Sequence, residues 1–414
     1  MSAHSQANSF DIVVLGGSYV GLAVGRALAL ALRHEVRIAI LDRRRLDDAP
    51  SHDPRAYAIS AGSKHMLNAL GVWQELAAHA QPVEAIDITD SALQHAIRPI
   101  LLSWDNTIEG SEPASWIVEG AHLRSALLAV ARNTPNLEVR APLEALGSTV
   151  DDTGIEVALV NGELIRASLV IAADGRDSPA RDAAGIKLVR WVQPQIGIVT
   201  TVALERPHRA RAVQHFLPSG PFAILPLRDN RACVTWSEDK ERGRAIVALP
   251  DESFLAEMQQ RFGYRLGTIA LAGPRAAWPL EFHMARTMTA PRLALAGDSA
   301  RGVHPIAGQG LNLGFKDVAA LTQCVAEAMR LGLDPGSSIA LERYERWRRF
   351  DSVQAAAAFE ALNRLFSNDS GLVRAIRDVG LGLVNRSPAL KQALVGEAAG
   401  LTGEVPRLLR GEMA

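Results

Sequence analysis

The opening of this 414-residue chain most narrows what it can fold into: an apolar run breaks on glycines and resumes as a helix. Phe10-Asp11-Ile12-Val13-Val14-Leu15 is β-branched and almost continuously apolar, as a strand covered on both faces must be. Gly16-Gly17-Ser18-Tyr19-Val20-Gly21 follows, after which Val24, Leu28 and Leu32 recur four apart on one helical face. Val36 to Leu41 reads as a second buried strand, closed by Asp42. A strand, a tight turn, a helix and a further strand make a βαβ unit, whose parallel sheet requires cover on both faces and so dictates an α/β layer. Ile12 to Leu32 also has the length of a bilayer span, about 20 residues. Arg26 and the glycine cluster at its start favour the soluble strand-turn-helix instead.

A unit of this shape can hold a dinucleotide. The first glycine makes the turn, a second admits the pyrophosphate to the backbone, and the third lets the helix pack on the strand. The free N–H groups of the helix start attract the pyrophosphate, and an acidic residue at the end of the next strand can take the ribose hydroxyls. Gly16, Gly17, Gly21 and Asp42 fit those roles, while Ser18 stands where the middle glycine is expected and narrows the approach. A lone glycine pattern is also an ordinary tight turn; the flanking strand, helix and Asp42 make the cofactor reading the stronger one.

Later segments alternate in texture. Leu123 to Val130 predicts a helix, and Leu169 to Ala173 a strand running into Asp174-Gly175. From about Gly185 to Pro279 apolar and polar residues alternate, as at Ile196 to Leu204 and Ala232 to Trp236. Turns at Ser219-Gly220-Pro221 and Arg228-Asp229-Asn230 complete the pattern of an antiparallel sheet carried as a separate lobe. Leu293 to Ala296 is again a short buried strand, leading through Gly297-Asp298 and a Gly/Pro-rich loop into a long helix from about Gly310 to Leu331. Beyond Pro335 the chain reads as helical. Lys and Arg total 44 against 45 Asp and Glu, a balance that leaves no footprint for nucleic acid. The two cysteines, Cys233 and Cys324, are far apart, which disfavours a disulfide framework or a structural zinc and fits a reducing cytoplasm. No basic stretch precedes the first apolar run, so a targeting signal is not expected.

Two further motifs carry chemistry. Ala172-Ala173-Asp174-Gly175-Arg176-Asp177-Ser178-Pro179-Ala180-Arg181 follows a strand; an isolated Asp-Gly there would be a simple turn. Leu295-Ala296-Gly297-Asp298-Ser299-Ala300 is followed by His304-Pro305-Ile306-Ala307-Gly308-Gln309-Gly310-Leu311-Asn312-Leu313-Gly314-Phe315. The three motifs stand in the order of the para-hydroxybenzoate hydroxylase class of flavoprotein monooxygenases. The run His304 to Asp317 is similar to the hydroxylases of ubiquinone biosynthesis, as are Asp53 to Ser60, Phe216 to Leu227 and Arg364 to Asn368.

That resemblance implies an α/β (α+β) fold: a Rossmann-like FAD-binding domain, an inserted mixed or antiparallel-sheet substrate domain, and C-terminal helices. The implied segments are 1–80, 119–184 and 280–335 for FAD, 81–118 and 185–279 for substrate, and 336–414 for the C-terminal helices. Gly16, Gly17, Ser18, Gly21 and Asp42 would hold the nucleotide end of FAD. Asp298 would accept hydrogen bonds from the ribityl chain. Backbone N–H groups of Gly308, Gln309, Gly310, Leu311 and Asn312 would face the edge of the ring that becomes negative on reduction, with Pro305 as a rigid wall. Arg55 would contact FAD, against the alternative of a surface ion pair; Gly220 and Pro221 would face the flavin, against a plain hairpin turn. Arg124 reads as an exposed helix arginine rather than a cofactor contact.

The implied activity is hydroxylation of the aromatic ring of a polyprenylated phenol by way of a flavin C4a-hydroperoxide, with O2 and with NADPH or NADH as electron donor. No catalytic side chain is assigned and no metal is expected. His215, Trp236 and Glu238 are candidates to assist phenol deprotonation by location alone, each read first as structural. The apolar residues Leu372, Val373, Ile376, Val379, Leu383 and Val384 either dock a membrane surface or a lipid-presenting partner, or pack on the FAD domain. The expected location is the cytoplasm, with peripheral contact to the inner membrane under the first of those readings. Two alternatives stay open: a hydroxylase of a small soluble aromatic compound, and a non-catalytic FAD-binding component of a quinone-biosynthesis complex.

Overall fold

A computed structural model describes residues 8–33, 36–47, 53–90, 99–303, 308–366 and 387–414. Pro305 and the apolar set from Leu372 to Val384 lie outside the described residues, as do Ser367 and Asn368.

The strand Ile12–Leu15 pairs in parallel with Ile38–Leu41 on one side and Leu169–Ala172 on the other. Leu137–Arg140 and Leu293–Leu295 extend this sheet in parallel, and Thr289–Ala290 adds an antiparallel edge. Its central strands are apolar throughout because helices cover both faces, and Ile12, Val13, Val14, Ile38 and Ile40 are all 0% exposed. The first helix, Tyr19–Leu32, and the long helix Gly310–Arg330 meet at Val20, whose methyls would lie 3.0 Å and 2.7 Å from a Cβ added to Gly297 and Gly314. Two glycines thus let the N-terminal ends of both helices converge on the edge of the parallel sheet.

The second layer is one large sheet in the order Arg301–Gly302, Ala276–Ala285, Leu188–Leu204, Arg231–Asp239, Gly220–Leu227, Arg211–Leu217, Ala85–Asp90, Ile100–Asp105. It is antiparallel except where Arg211–Leu217 runs parallel to Ala85–Asp90, so the sheet is mixed. The predicted turn at Arg228-Asp229-Asn230 places Asp229 and Asn230 at φ 60° and 52°, a left-handed conformation that Asp and Asn tolerate better than most residues. The alternating region does not remain strand throughout. Lys240–Val247 and Asp251–Phe262 are helices, packing Ile246, Phe254, Met258 and Phe262 against Trp236, Phe222 and Ile224 of the sheet. Two short sheets have no clear signal in the sequence: Ala145–Val150, Ile155–Leu159 and Leu164–Ala167, and a second in which Ser115–Glu119 joins Ala56–Ser60 to Gln81–Pro82. Among the described residues no helix is long and apolar enough to cross a membrane.

Candidate active site

The Gly-rich turn is held by contacts that exclude even one methyl group. A Cβ on Gly16, whose φ is +106°, would lie 2.3 Å from the Ala173 carbonyl oxygen; one on Gly21 would lie 1.8 Å from that of Gly16. Both obstacles are backbone and cannot swing aside. Ser18, by contrast, has φ −95° and ψ −164°, an extended conformation open to any residue. The serine in place of a glycine therefore imposes no strain on the chain. Asp42 is buried at the end of the second strand, where Oδ2 accepts from Gly17 N–H at 2.7 Å and Oδ1 from Arg44 N–H at 2.8 Å. Its carboxylate stiffens the turn and still lines a cavity of about 280 Å³, together with Gly16, Arg44, Glu144, Asp174 and Arg176.

Asp174 reaches the same cavity from the next strand end. Burial pushes its carboxyl above the usual range, against hydrogen bonds from Ser178 and Ala180. One oxygen, Oδ1, is buried with no hydrogen-bond partner among the described residues. Ser178 and Arg181 of this motif act as scaffold. Ser178 Oγ caps the short helix Pro179–Ala183 by accepting from Arg181 N–H at 3.1 Å, and buried Arg181 donates to the carbonyls of Arg176 (2.8 Å) and Ser299 (3.2 Å). It ties the Asp-Gly loop to the Gly-Asp turn.

In that turn Gly297 has φ +66°, Asp298 is exposed, and the Asp298 carbonyl accepts from His283 Nε2 at 2.7 Å. The long helix starts at Gly310 after Gly308 (φ +63°), with Gln309 as N-cap; Gln309, Gly310 and Leu311 are half-buried. Helix starts leave N–H groups without intrahelical acceptors, so this segment presents donors. The Asn312 side chain donates to Oε1 of the N-cap Gln309 at 3.2 Å and also binds another element. Its Oδ1 accepts from Ser60 N–H (3.1 Å) and Ser63 Oγ (2.8 Å), and its Nδ2 donates to the Ala58 carbonyl (2.8 Å). It clamps the helix start to the strand Ala56–Ser60, a contact across some 250 residues that no local pattern announces.

Arg55 forms the ion pair that was its alternative reading, with Nη2 2.6 Å from Asp53 Oδ2, and its guanidinium also stands 5.3 Å from the Trp278 ring centroid. Arg124 departs from expectation: it is half-buried and donates to the Leu46 carbonyl at 3.0 Å.

Strand pairing sorts the large sheet into two faces, because cross-strand partners point the same way. Ile198, Trp236, Phe222, His215 and Thr89 form one row, on the face covered by the two helices. There Glu238 accepts from Trp236 Nε1 (3.2 Å) and from fully buried Arg261 (2.9 Å), while His215 Nδ1 lies 2.5 Å from Thr89 Oγ1. His215, Trp236 and Glu238 are thus back-face residues, as their structural reading has it. The opposite face carries the row Val199, Thr235, Ala223, Gln214, Ile88 and Leu102. None of these six is ionisable. On this face Val199 of the row, with Ala212, Leu227 and Cys233 beside it, packs with Ala58, the residue against which Gly308 sits. Pro221 lies opposite Phe216 on this face, on the strand Gly220–Leu227.

Comparison with known proteins decides what this arrangement belongs to. The model of a family described as an FAD binding domain matches residues 9–358. The ubiquinone hydroxylase UbiL of Rhodospirillum rubrum is 38% identical, over 97% of this chain and 92% of its own. The chain belongs to the FAD-binding monooxygenases that include the ubiquinone hydroxylases. A second member, the 3-demethoxyubiquinol 3-hydroxylase of Escherichia coli, is 32% identical over 94% of this chain and 98% of its own. The fold of the family extends further: p-nitrophenol 4-monooxygenase PnpA from Pseudomonas putida DLL-E4 superposes with a TM-score of 0.78 at 18% identity, covering 96% of this chain and 99% of that one. Like other members, the chain is an FAD-dependent monooxygenase, and its mixed α/β fold joins an FAD domain to a predominantly antiparallel sheet, as expected from its sequence. Its residues suit the cofactor. Gly16 and Gly21 make a cradle closed to any Cβ, and Asp174, which packs against Gly16, keeps one buried carboxylate oxygen without a partner among the described residues.

Proposed function

We propose that this enzyme hydroxylates the aromatic ring of a polyprenylated phenol in ubiquinone biosynthesis, with O2 as the oxygen source and NADPH or NADH as the electron donor. Within that reading Gly16, Gly17, Ser18 and Gly21 cradle the FAD pyrophosphate, and Asp42 takes the adenosine ribose. Asp298 takes the ribityl hydroxyls, while Arg55 and Pro305 flank the ring. The N–H groups of residues 308 to 312 sit where negative charge grows on reduction. Bound FAD supplies the redox and oxygen-transfer chemistry. The chain binds, orients and keeps water from the reacting ring. Segments 81–118 and 185–279 carry the substrate-facing sheet in this scheme, and a tail-bearing substrate places the enzyme in the cytoplasm at the inner-membrane surface.

One observation carries the choice of substrate. The row Val199, Thr235, Ala223, Gln214, Ile88 and Leu102, on the face away from the two helices, offers hydroxyl and amide groups among apolar ones, but no cation to pair with a ring carboxylate. Arg55, which stands over Trp278 at the border of this face, is already neutralised by Asp53. A small aromatic acid would be buried there without a counter-charge, whereas a neutral phenol with an apolar tail would not. The extended backbone at Ser18 shows that the serine puts no strain on the turn, which supports a working cofactor site over a non-catalytic scaffold. The deciding assay supplies FAD-loaded protein with NADPH or NADH and either a short-tailed prenylphenol or 4-hydroxybenzoate. Mass spectrometry should find one added oxygen on the prenylphenol; oxygen added to the acid alone would reverse the assignment.

A further inference from the structure

Beneath the Gly-Asp turn lies a buried charge cluster that no motif predicted. Asp317 is 0% exposed; its Oδ1 accepts from Arg301 Nη2 at 2.7 Å and from Arg348 Nε at 2.8 Å, and its Oδ2 from Gly297 N–H at 2.9 Å. Arg301 and Arg348 are 3% and 1% exposed, so two buried guanidiniums share one buried carboxylate. Arg348 has a second anion, Asp351, at 2.5 Å, on the side that reaches water. Among the described residues Arg301 has no second anion. Its remaining protein bond there is from Nη2 to the Leu313 carbonyl in the first turn of the long helix, at 2.9 Å, and its Nε and Nη1 are buried without a partner among those residues. A buried, half-satisfied cation is costly.

Building on the FAD reading above, we infer that Arg301 is a positioning residue whose buried, incompletely hydrogen-bonded guanidinium raises the reduction potential of the bound flavin. The geometry gives it two handles. Through Asp317 it braces Gly297 and hence the exposed Asp298; through Leu313 it braces the helix turn that presents the donors of residues 308 to 312. Its charge sits between these two elements in a dry interior, where Coulomb attraction for the anionic reduced flavin is screened far less than at a surface. The oxidised ring is neutral and gains nothing comparable, so the stabilisation is differential and biases the redox equilibrium toward reduction.

The test is spectroelectrochemical titration of purified, FAD-loaded protein. Arg301→Gln should shift the two-electron equilibrium about tenfold toward the oxidised flavin, which is about 30 mV. Arg301→Lys, which keeps the charge, should stay within threefold of the parent. Asp317→Asn, which withdraws the shared negative charge and leaves Arg301, should move the equilibrium the opposite way. Should the glutamine variant fail to hold FAD, the lysine and asparagine variants decide: a parental potential in the asparagine variant, or a glutamine-like fall in the lysine variant, overturns the inference. A glutamine variant that holds FAD at an unchanged potential overturns it as well. Parent protein that refuses FAD would instead defeat the flavin assignments of residues on which this rests.

Discussion

On the proposed assignment of cofactor and substrate, the two layers specify their ligands by opposite means. In the parallel layer the constraint lies in the backbone: Gly16 and Gly21 are pressed against carbonyl oxygens, and no side chain fits there. On the large sheet the constraint lies in which side chains share a face, and the open row is a mixture of small, amide and aliphatic groups with ordinary strand geometry. A backbone cradle tolerates almost no substitution and serves a ligand that never changes. A sheet face can be re-lettered without disturbing the fold beneath it, provided the covered face opposite is left intact. Cofactor recognition should therefore fail abruptly on mutation, and substrate recognition should drift.

The steepest failure expected is Gly21→Ala. Its methyl would overlap the Gly16 carbonyl, and relief requires moving the strand-helix junction itself. FAD affinity should fall a thousandfold or more, about 4 kcal/mol, as read by quenching of flavin fluorescence. Ser18→Gly sharpens the point. At φ −95° the position asks nothing of glycine, so the variant should bind FAD within threefold of the parent. A large gain in affinity from that change would mean that the hydroxymethyl group obstructs the pyrophosphate after all.

On the sheet, the two faces should separate cleanly. Trp236→Ala empties the covered face beneath Phe254 and Phe222 and should cost about 3–5 kcal/mol of unfolding free energy in urea. Ala223→Arg, one residue past Phe222 and on the open face, should leave that stability and the FAD content nearly unchanged. It should lower kcat/KM for a neutral prenylphenol about a hundredfold, roughly 2.7 kcal/mol of transition-state binding. If Ala223→Arg unfolds the protein while turnover per folded molecule persists, the open face is a packing surface and the contrast collapses.

The contrast also explains what could be read in advance. The opening βαβ unit, the Asp-Gly and Gly-Asp turns and the helix from Gly310 are local patterns, each complete within a few dozen residues, and they stand where the sequence placed them. Ser18 looks like a defect in the pattern because a motif records residue types and not φ values. Asn312 is singled out in the sequence for its backbone, whereas its side chain binds Ala58, Ser60 and Ser63, partners whose proximity is known only once the chain has folded. The Asp317 cluster escapes for the same reason, its members coming from three separate segments. Alternation in Ile196 to Leu204 shows that each strand has two faces, but only the register says that Trp236 faces helices and Thr235 does not. The helices Lys240–Val247 and Asp251–Phe262 are lost within a region judged by its strands, although Asp239 is an N-cap that accepts from Glu241 and Arg242 N–H groups.

Acid should pull the two layers in opposite directions, through the smallest effect expected here. Asp87 lies at 0% exposure in the large sheet; burial pushes its carboxyl up, but hydrogen bonds from Arg211, Ser103 and Arg265 outweigh that and hold it at about 2, below the ordinary 3.8. A carboxylate whose folded value is depressed contributes stability that is complete above its unfolded value and disappears as pH falls through the folded one. For Asp87 that window runs from about 4 down to about 2, and the difference is worth about 2 kcal/mol. Asp174, beside the cofactor cradle, is shifted the other way by burial. Its charged form is the disfavoured one in the fold, so the cradle gains stability as pH drops through its raised value, before Asp87 is touched. Urea unfolding of the FAD-free protein at stepped pH should show Asp87→Asn removing much of the loss between pH 4 and 2, and Asp174→Asn raising stability at neutral pH while erasing the earlier gain. A parental slope in the Asp87 variant would place the acid-sensitive contact elsewhere in the molecule and deprive the sheet of its distinguishing charge lock.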